Sequence, residues 1–395
     1  MNKNKYLPNL NSLRGIAALL TTIFHVNIVL SSFGGGLVNG KATSIISRMY
    51  LMVDFFFILS GFILCYVYAK NFEGPVKRQD YKKFTIARFA RVYPLHLFSL
   101  LLTTLFLFLL HQSGVTVTPI LDAENSGYSF ITNLLLLHSM NFHQWFTFTH
   151  ASWSISTEWW MYMLFPFLAG PFMKLSNTGR LAIFALCVAG YFVIGYLLVP
   201  LVTVPASISF LKVQPFSLNV AYQFGFFRCM CGFIIGMMVY FGFKGNWAKQ
   251  LFSSGYTFLF LVSGLALCMH FAVLDVFTVL FFPFILLSAA YGNRNINSVL
   301  ASKPLQKLGD WSFSIYLIHQ PFLYQGAAII GIPDKPGSLL PKPGLLASWV
   351  ICLGFIVFIL FISYLTYRFI EVPARNYINE NWGKRTRIYK KSLQT

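Results

Sequence analysis

Apolar runs long enough to enter a bilayer recur along almost the whole chain, as at 97–110 and 258–267. A helix needs about 20 predominantly apolar residues to span the hydrocarbon core. In that core every backbone polar group must find its partner within the protein, which leaves helices or closed barrels. Composition agrees. Of 395 residues, 56% are hydrophobic and 10% are charged, and mean hydropathy is +0.64. A soluble domain of this size carries more charge on its surface. The expected fold is all-α, a polytopic integral membrane bundle of about ten transmembrane helices. The spans are read at 12–32, 49–69, 92–111, 153–171, 181–200, 222–241, 254–272, 274–291, 312–331 and 346–368. A shorter apolar stretch at 129–140 reads as re-entrant or interfacial. The first apolar segment has no clear small-residue cleavage site, so it reads as a retained span rather than a signal peptide. Residues 1–373 form one transmembrane domain, and 374–395 a basic cytoplasmic tail too short to bury a core.

The formal net charge is +19, and its distribution points to topology rather than nucleic acid. The 70–91 loop carries Lys70, Lys77, Arg78, Lys82, Lys83, Arg88 and Arg91. The 112–152 loop carries no Lys or Arg, but has Asp122 and Glu124. The tail carries Arg375, Lys384, Arg385, Arg387, Lys390 and Lys391. Basic loops stay on the cytoplasmic side, so both termini are expected there. The cysteines (Cys65, Cys187, Cys229, Cys231, Cys268 and Cys352) all fall in expected spans without metal-ligand spacing. They read as small buried hydrophobes, and no metal is expected. No internal repeat suggests the inverted halves of a transporter.

Ionisable residues at membrane depth mark functional sites by default. Arg14 and His25 are eleven residues apart in the first span. That is about three helical turns and roughly 16 Å of rise, which puts both on one side. Arg88 and Arg91 share a face if their stretch is helical. Their planar guanidiniums suit phosphate oxyanions, although juxtamembrane bases also serve topology and anionic lipid. Asp54 stands before the aromatic run Phe55-Phe56-Phe57, either in a structural ion pair or on an acceptor side. Ser60-Gly61 suits close helix packing, and no strand-turn-helix elbow supports a Ser60 nucleophile. Glu158, in Trp153-Ser154-Ile155-Ser156-Thr157-Glu158-Trp159-Trp160, is placed towards the outer side. It reads as a general acid or base, a sugar ligand, or the mate of Arg228. Tyr316 and His319 face together, one turn before Pro321, which should kink its helix. Arg368 and Glu371 can pair within a turn that Pro373 ends.

Six of these stretches, in this order, resemble the acyltransferase-3 family of membrane-bound acyltransferases. They are Leu13-Arg14-Gly15 with His25, Asp54 to Phe62, Arg88/Arg91 before Tyr93-Pro94, Trp153 to Tyr162, Ser314 to His319, and Tyr367 to Pro373. The resemblance implies transfer of an acyl group, usually acetyl, from cytoplasmic acyl-CoA to a hydroxyl of a glycan or lipid-linked sugar. Acetyl-CoA is then the expected donor. Arg14 and His25 match residues central to activity, and Arg88 and Arg91 match a pair associated with acyl-CoA. No extracytoplasmic hydrolase-like domain follows the last apolar segment in this sequence, which argues against a two-domain task. On this reading Arg14, His25 and Glu158 are catalytic, and Arg14, Arg88 and Arg91 hold the donor. Asp54, Tyr316 and His319 line the acceptor side. His25 acts either as general base on the acceptor hydroxyl or as carrier of the acyl group. The 112–152 loop, with His138, His143 and His150, is read as an acceptor-binding lid. The rival reading is a proton-coupled transporter or flippase, with the buried Arg, Asp, Glu and His as a relay.

Overall fold

The computed structural model describes residues 6–32, 34–40, 42–113, 123–206, 216–329 and 343–391. Among them the secondary structure is helical throughout, with no strand. The principal helices in chain order are α1 (Pro8–Ser32), α2 (Met52–Tyr68), α3 (Arg78–Gln112) and α4 (Gly127–Leu134). Then come α5 (Ser152–Lys174), α6 (Asn177–Val193), α7 (Gly225–Lys244) and α8 (Gly255–His270). The last are α9 (Asp275–Tyr291), α10 (Arg294–Leu300), α11 (Lys303–Gln320), α12 (Leu345–Thr366) and α13 (Val372–Lys391).

Six of the described helical stretches are long and apolar enough to cross a bilayer, or seven if the pair α9–α10, bent by 100°, counts as one. Ten segments were expected. The stretches at 153–171 and 312–331 differ for a physical reason. Helix α5 buries Ser152, Ser154, Ser156 and Thr157, an inward polar face that lowers its hydropathy, and α11 opens with Lys303, Lys307 and Asp310 before its buried Ser312, Ser314 and His319. Residues 330 and 331, at the end of the last-but-one expected span, and Asp122 lie outside the described residues.

Two helix pairs set the bundle. Helix α1 packs along α11, and α2 along α7. In the first pair a Cβ added at Gly15 would stand 2.6 Å from the amide nitrogen of Gly309, and one at Gly309 would run into the Asn11 carbonyl. In the second, Gly61 faces the Phe233 carbonyl and Gly236 faces the Ile58 carbonyl, each too near for a side chain. Lipid tails are as apolar as leucine, so helices in a membrane associate by close packing at small residues. Gly61 is thus the close-packing point read from Ser60-Gly61.

Two expected helix ends are corrected. Pro373 does not stop the last helix. A π-turn at Tyr367–Glu371 joins α12 to α13, which continues to Lys391. Proline is tolerated in the first turn, where its missing N–H is needed least, and Pro373 is the second residue of α13. At Pro321 the regular helix α11 passes into another π-turn, Pro321–Gln325. Helix α13 begins where a separate tail was expected, and it packs along α3. The side chains of Lys384, Arg385, Arg387, Lys390 and Lys391 lie outside the described residues.

The stretch from 123 to 151 is a folded layer. It contains α4, opened by a reciprocal cap between Ser126 and Ser129. Tyr93 Oη donates to the Leu134 carbonyl at 3.1 Å, and His96 Nε2 lies 2.9 Å from the Asn133 carbonyl. The Trp160 indole donates to the Leu136 carbonyl at 2.9 Å. The Thr149 hydroxyl lies 2.9 Å from that of Ser99 and 2.8 Å from that of Thr103. These bonds tie the layer to α3 and α5.

The α1–α11 contact leaves no room for a methyl group, so Gly15→Val should destabilise the protein by about 1–3 kcal/mol or more. Thermal unfolding in detergent should show a lower midpoint for Gly15→Val than for Gly354→Val, since a Cβ at Gly354 meets nothing within 4 Å. Equal midpoints would refute the packing account.

Candidate active site

A cavity of about 600 Å³ lies between α1, α2, α3, α5 and α11. It begins beside the exposed Tyr6 and Val67. Its walls carry Arg14, Arg88, Arg91 and Arg375 against two carboxylates, Glu158 and Asp310. That size lies in the ordinary range for ligand pockets, about 300–1,000 Å³.

Each arginine is held by its neighbours. Arg14 Nε donates to Ser312 Oγ at 2.8 Å, and its Nη2 donates to Asn11 Oδ1 at 2.9 Å and the Gly309 carbonyl at 2.8 Å. The glycine contact is what brings α11 near enough for these bonds. Arg88 Nη2 donates to Tyr68 Oη at 3.1 Å, and its guanidinium lies over the Tyr68 and Tyr162 rings, 5.2 and 5.9 Å from the centroids. Its Nε is buried with no protein partner. An orphaned donor in a cationic cavity fits an anionic ligand, because an unmet buried N–H is costly. Arg91 pairs with Glu371 and covers the Phe313 ring at 5.5 Å. Both Arg88 and Arg91 lie inside α3, so the shared face read from their spacing is present.

Glu158 lines the cavity beside Ser60 and Tyr162 and feels the charges of Arg88 and Arg91. It lines the same cavity as Arg14, Arg88 and Arg91. The expectation that Arg228 is its mate is corrected. Arg228 pairs instead with Asp54, with Nε–Oδ1 at 3.0 Å and Nη2–Oδ2 at 2.5 Å. Asp54 is fully buried and also accepts from Tyr191 Oη at 3.4 Å. The Arg228 guanidinium sits over the Trp153 and Tyr50 rings. A buried pair of this kind needs both partners, since either alone is an uncompensated charge. The expected pairing of Arg368 with Glu371 is corrected as well. Glu371 takes Arg91 and, at 3.8 Å, Arg375, while Arg368 donates to Tyr364 Oη at 2.6 Å. The π-turn rotates Glu371 inward.

The inner end of the cavity is closed by Tyr316, whose hydroxyl lies 2.7 Å from Ser154 Oγ, and by Phe56, edge-on to Tyr316 at 5.4 Å. One turn further along α11 stands His319, its ring 6.3 Å from that of Tyr316. His319 Nε2 lies 3.0 Å from His25 Nδ1. Helix α11 therefore receives both Arg14 and His25 from one side of α1.

The carbonyls around the two imidazoles fix their protons. His25 Nδ1 is 2.9 Å from the Thr21 carbonyl, and His319 Nδ1 is 2.9 Å from the Ile315 carbonyl. A carbonyl only accepts, so each Nδ1 carries the hydrogen in the neutral pair. The His25 Nδ1–H is then shared between the Thr21 carbonyl and His319 Nε2, both of which accept, and His25 Nε2 keeps a lone pair. That nitrogen makes no hydrogen bond among the described residues.

On the far side of His25 lies the 123–151 layer. Tyr324 stands 6.4 Å from His25 and 5.1 Å from His150, ring to ring. Burial lowers His150 to about 4, so it is neutral at working pH. His138 and His143 serve the layer itself, through Ser152 Oγ at 3.0 Å and Thr132 Oγ1 at 2.7 Å. Sequence reasoning missed the contact of His25 with His319, which joins helices 294 residues apart. It also missed Ser312, Tyr68 and Tyr162 as supports of the arginines. No group of three or more His, Cys, Asp or Glu side chains forms a metal-like cluster among the described residues.

Residues 7–368 match the model of an acyltransferase domain. The chain belongs to the acyltransferase-3 family. A curated relative, an acyltransferase named MdmB from Streptomyces mycarofaciens, is 27% identical over 352 residues, covering 82% of this chain and 81% of that protein. Protein 2 in the picA locus of Rhizobium radiobacter is 35% identical over 135 residues, covering 32% of this chain and 62% of its own length. No solved structure matches. Membership in this family, together with the long apolar helices, makes the chain an integral membrane protein, and an acyltransferase needs an acyl donor and an acceptor.

The ion pair of Asp54 with Arg228 can be tested through stability. Asp54→Asn should cost about 3–5 kcal/mol by leaving Arg228 uncompensated, and Asp54→Leu combined with Arg228→Leu should recover most of the loss. Denaturation midpoints of the single and double variants measure this. A double variant no better than Asp54→Asn would refute a coupled pair.

Proposed function

We propose that this acyltransferase-3 protein is an O-acyltransferase that uses acyl-CoA, with acetyl as the simplest acyl group. The acceptor is a hydroxyl of a cell-envelope glycan or a lipid-linked sugar, such as an O-antigen or exopolysaccharide unit. The observation that carries this reading is a cavity lined by Arg14, Arg88 and Arg91 that ends one helical turn short of the His25–His319 pair. Guanidinium forks bind phosphates bidentately, and the nucleotide end of acyl-CoA is rich in phosphate. The pantetheine arm would follow the cavity towards Tyr316, with its thioester beneath the histidines. The basic 70–91 loop supports a cytoplasmic entrance with both termini on that side, and an inner-membrane location in a bacterium.

His25 Nε2 takes the proton of the acceptor hydroxyl. The hydroxyl oxygen attacks the thioester carbonyl carbon, the C–S bond breaks, and the CoA thiolate takes the proton back from the imidazolium. His319 accepts from His25 Nδ1 and stabilises that imidazolium, so it acts as a positioning residue for the reacting base. General base catalysis of this kind is worth roughly 10²–10⁴-fold. Glu158 lines the same cavity as the arginines, where its carboxylate offsets part of their charge.

His25→Ala should abolish acceptor-dependent release of CoA thiol by the purified protein while leaving its membrane insertion intact. His319→Gln should lower kcat by roughly 10²-fold or more with little change in KM for acyl-CoA. Arg88→Ala with Arg91→Ala should raise KM for acyl-CoA instead. Full turnover in His25→Ala would overturn the assignment. Radiolabel retained on the protein after acetyl-CoA without acceptor, and lost in His25→Ala, would replace the general base with an acyl-histidine. A solute flux driven by a proton gradient with no thioester consumed would favour the transporter reading.

A further inference from the structure

The donor cavity does not open onto His25. Its inner end is a ceiling of three side chains from three helices: Phe56 on α2, Ser154 on α5 and Tyr316 on α11. Tyr316 is 5% exposed, its hydroxyl 2.7 Å from Ser154 Oγ and its ring 5.4 Å from that of Phe56. On the cavity side lie Arg14, Arg88 and Glu158, and on the other side His319 and His25. Neither histidine lines the cavity.

The order along the helices is consistent from three directions. On α11, Ser312 touches Arg14, Tyr316 follows one turn later, and His319 reaches His25 after that. On α5, Ser154 precedes Glu158 by one turn. On α2, Phe56 precedes Ser60 by one turn, and Ser60 lines the cavity with Glu158. The phosphate-binding level, the carboxylate level and the ceiling are therefore stacked, with the base beyond.

We infer that Tyr316, with Phe56 and Ser154, selects the acyl group by length. The inference rests on the donor reading above. An acyl-CoA entering past the arginines meets the ceiling with its acyl end first. A two-carbon group is accommodated against the Tyr316 and Phe56 rings, and the thioester reaches His25 when Tyr316 swings off Ser154. A longer chain needs the volume that the Tyr316 ring fills. A hydrophobic pocket discriminates roughly 10–200-fold per misfitting methylene, so one aromatic side chain suffices to set the preference.

The test is equilibrium binding of acetyl-, butyryl- and octanoyl-CoA to the detergent-solubilised full-length protein, read by isothermal calorimetry. No acceptor is needed. In the wild type, affinity should fall by roughly tenfold or more from acetyl- to octanoyl-CoA. In Tyr316→Ala that fall should vanish or reverse, with acetyl-CoA affinity changed much less. Tyr316→Phe keeps the ring and should keep the wild-type order. Phe56→Ala is the second probe, should Tyr316→Ala fail to fold, and it should also relax the preference. An unchanged length profile in a folded Tyr316→Ala or Phe56→Ala protein overturns the inference. If the wild type binds none of the three thioesters, the donor reading itself fails. Binding of all three with equal affinity would leave the donor reading standing and refute selection at the ceiling.

Discussion

The contact between α1 and α11 carries the rest of the structure. Gly15 and Gly309 let two backbones approach at a distance no side chain allows. That approach puts Ser312 and the Gly309 carbonyl within reach of Arg14, and three turns further it puts His319 on His25. Arg14 and His25 are thereby held on a single helix pair, at a spacing along α1 set by helical rise, roughly 16 Å. Helix packing by small residues is a structural device in membranes, and here it also fixes the partners of two ionisable side chains.

Charges within the bundle are distributed by the same logic. Arg228 and Asp54 close on each other and stay out of the cavity. Arg48, Tyr50 and the Leu218 amide all converge on Asp275, which ties the loop after α1 to α9. Arg14 and Arg88, in contrast, are held mainly by neutral groups: hydroxyls, a side-chain amide, a carbonyl and aromatic faces. A neutral support leaves a guanidinium its full charge for a ligand. Arg91 stands between the two cases, since Glu371 neutralises it through a turn that α12 had to widen.

The family, the helical class and the principal polar residues were legible in the sequence because each rests on local pattern. Long apolar runs announce helices, and a charge inside one announces a reason. Arg14 with His25, and Arg88 with Arg91, were correctly placed on shared faces because helical periodicity is local. The partners were not legible. Arg228 was one of three readings offered for Glu158, and Arg368 was offered to Glu371, because nearness in sequence or lack of a visible mate was the only guide. The true partners, Asp54 and Arg91, come from helices 174 and 280 residues away. The polar faces of α5 and α11 were read as ordinary spans, although burial against the site is what makes their serines and threonines tolerable.

The proposed function puts the acyl donor in the arginine-lined cavity, directed at His25. The measurement that tests it most directly is a cryo-EM map of the protein in nanodiscs with coenzyme A bound. Phosphate density is expected at Arg88 and Arg14, with the pantetheine thiol beneath Tyr316. Ordered coenzyme A elsewhere on the protein, with this cavity empty, would contradict it.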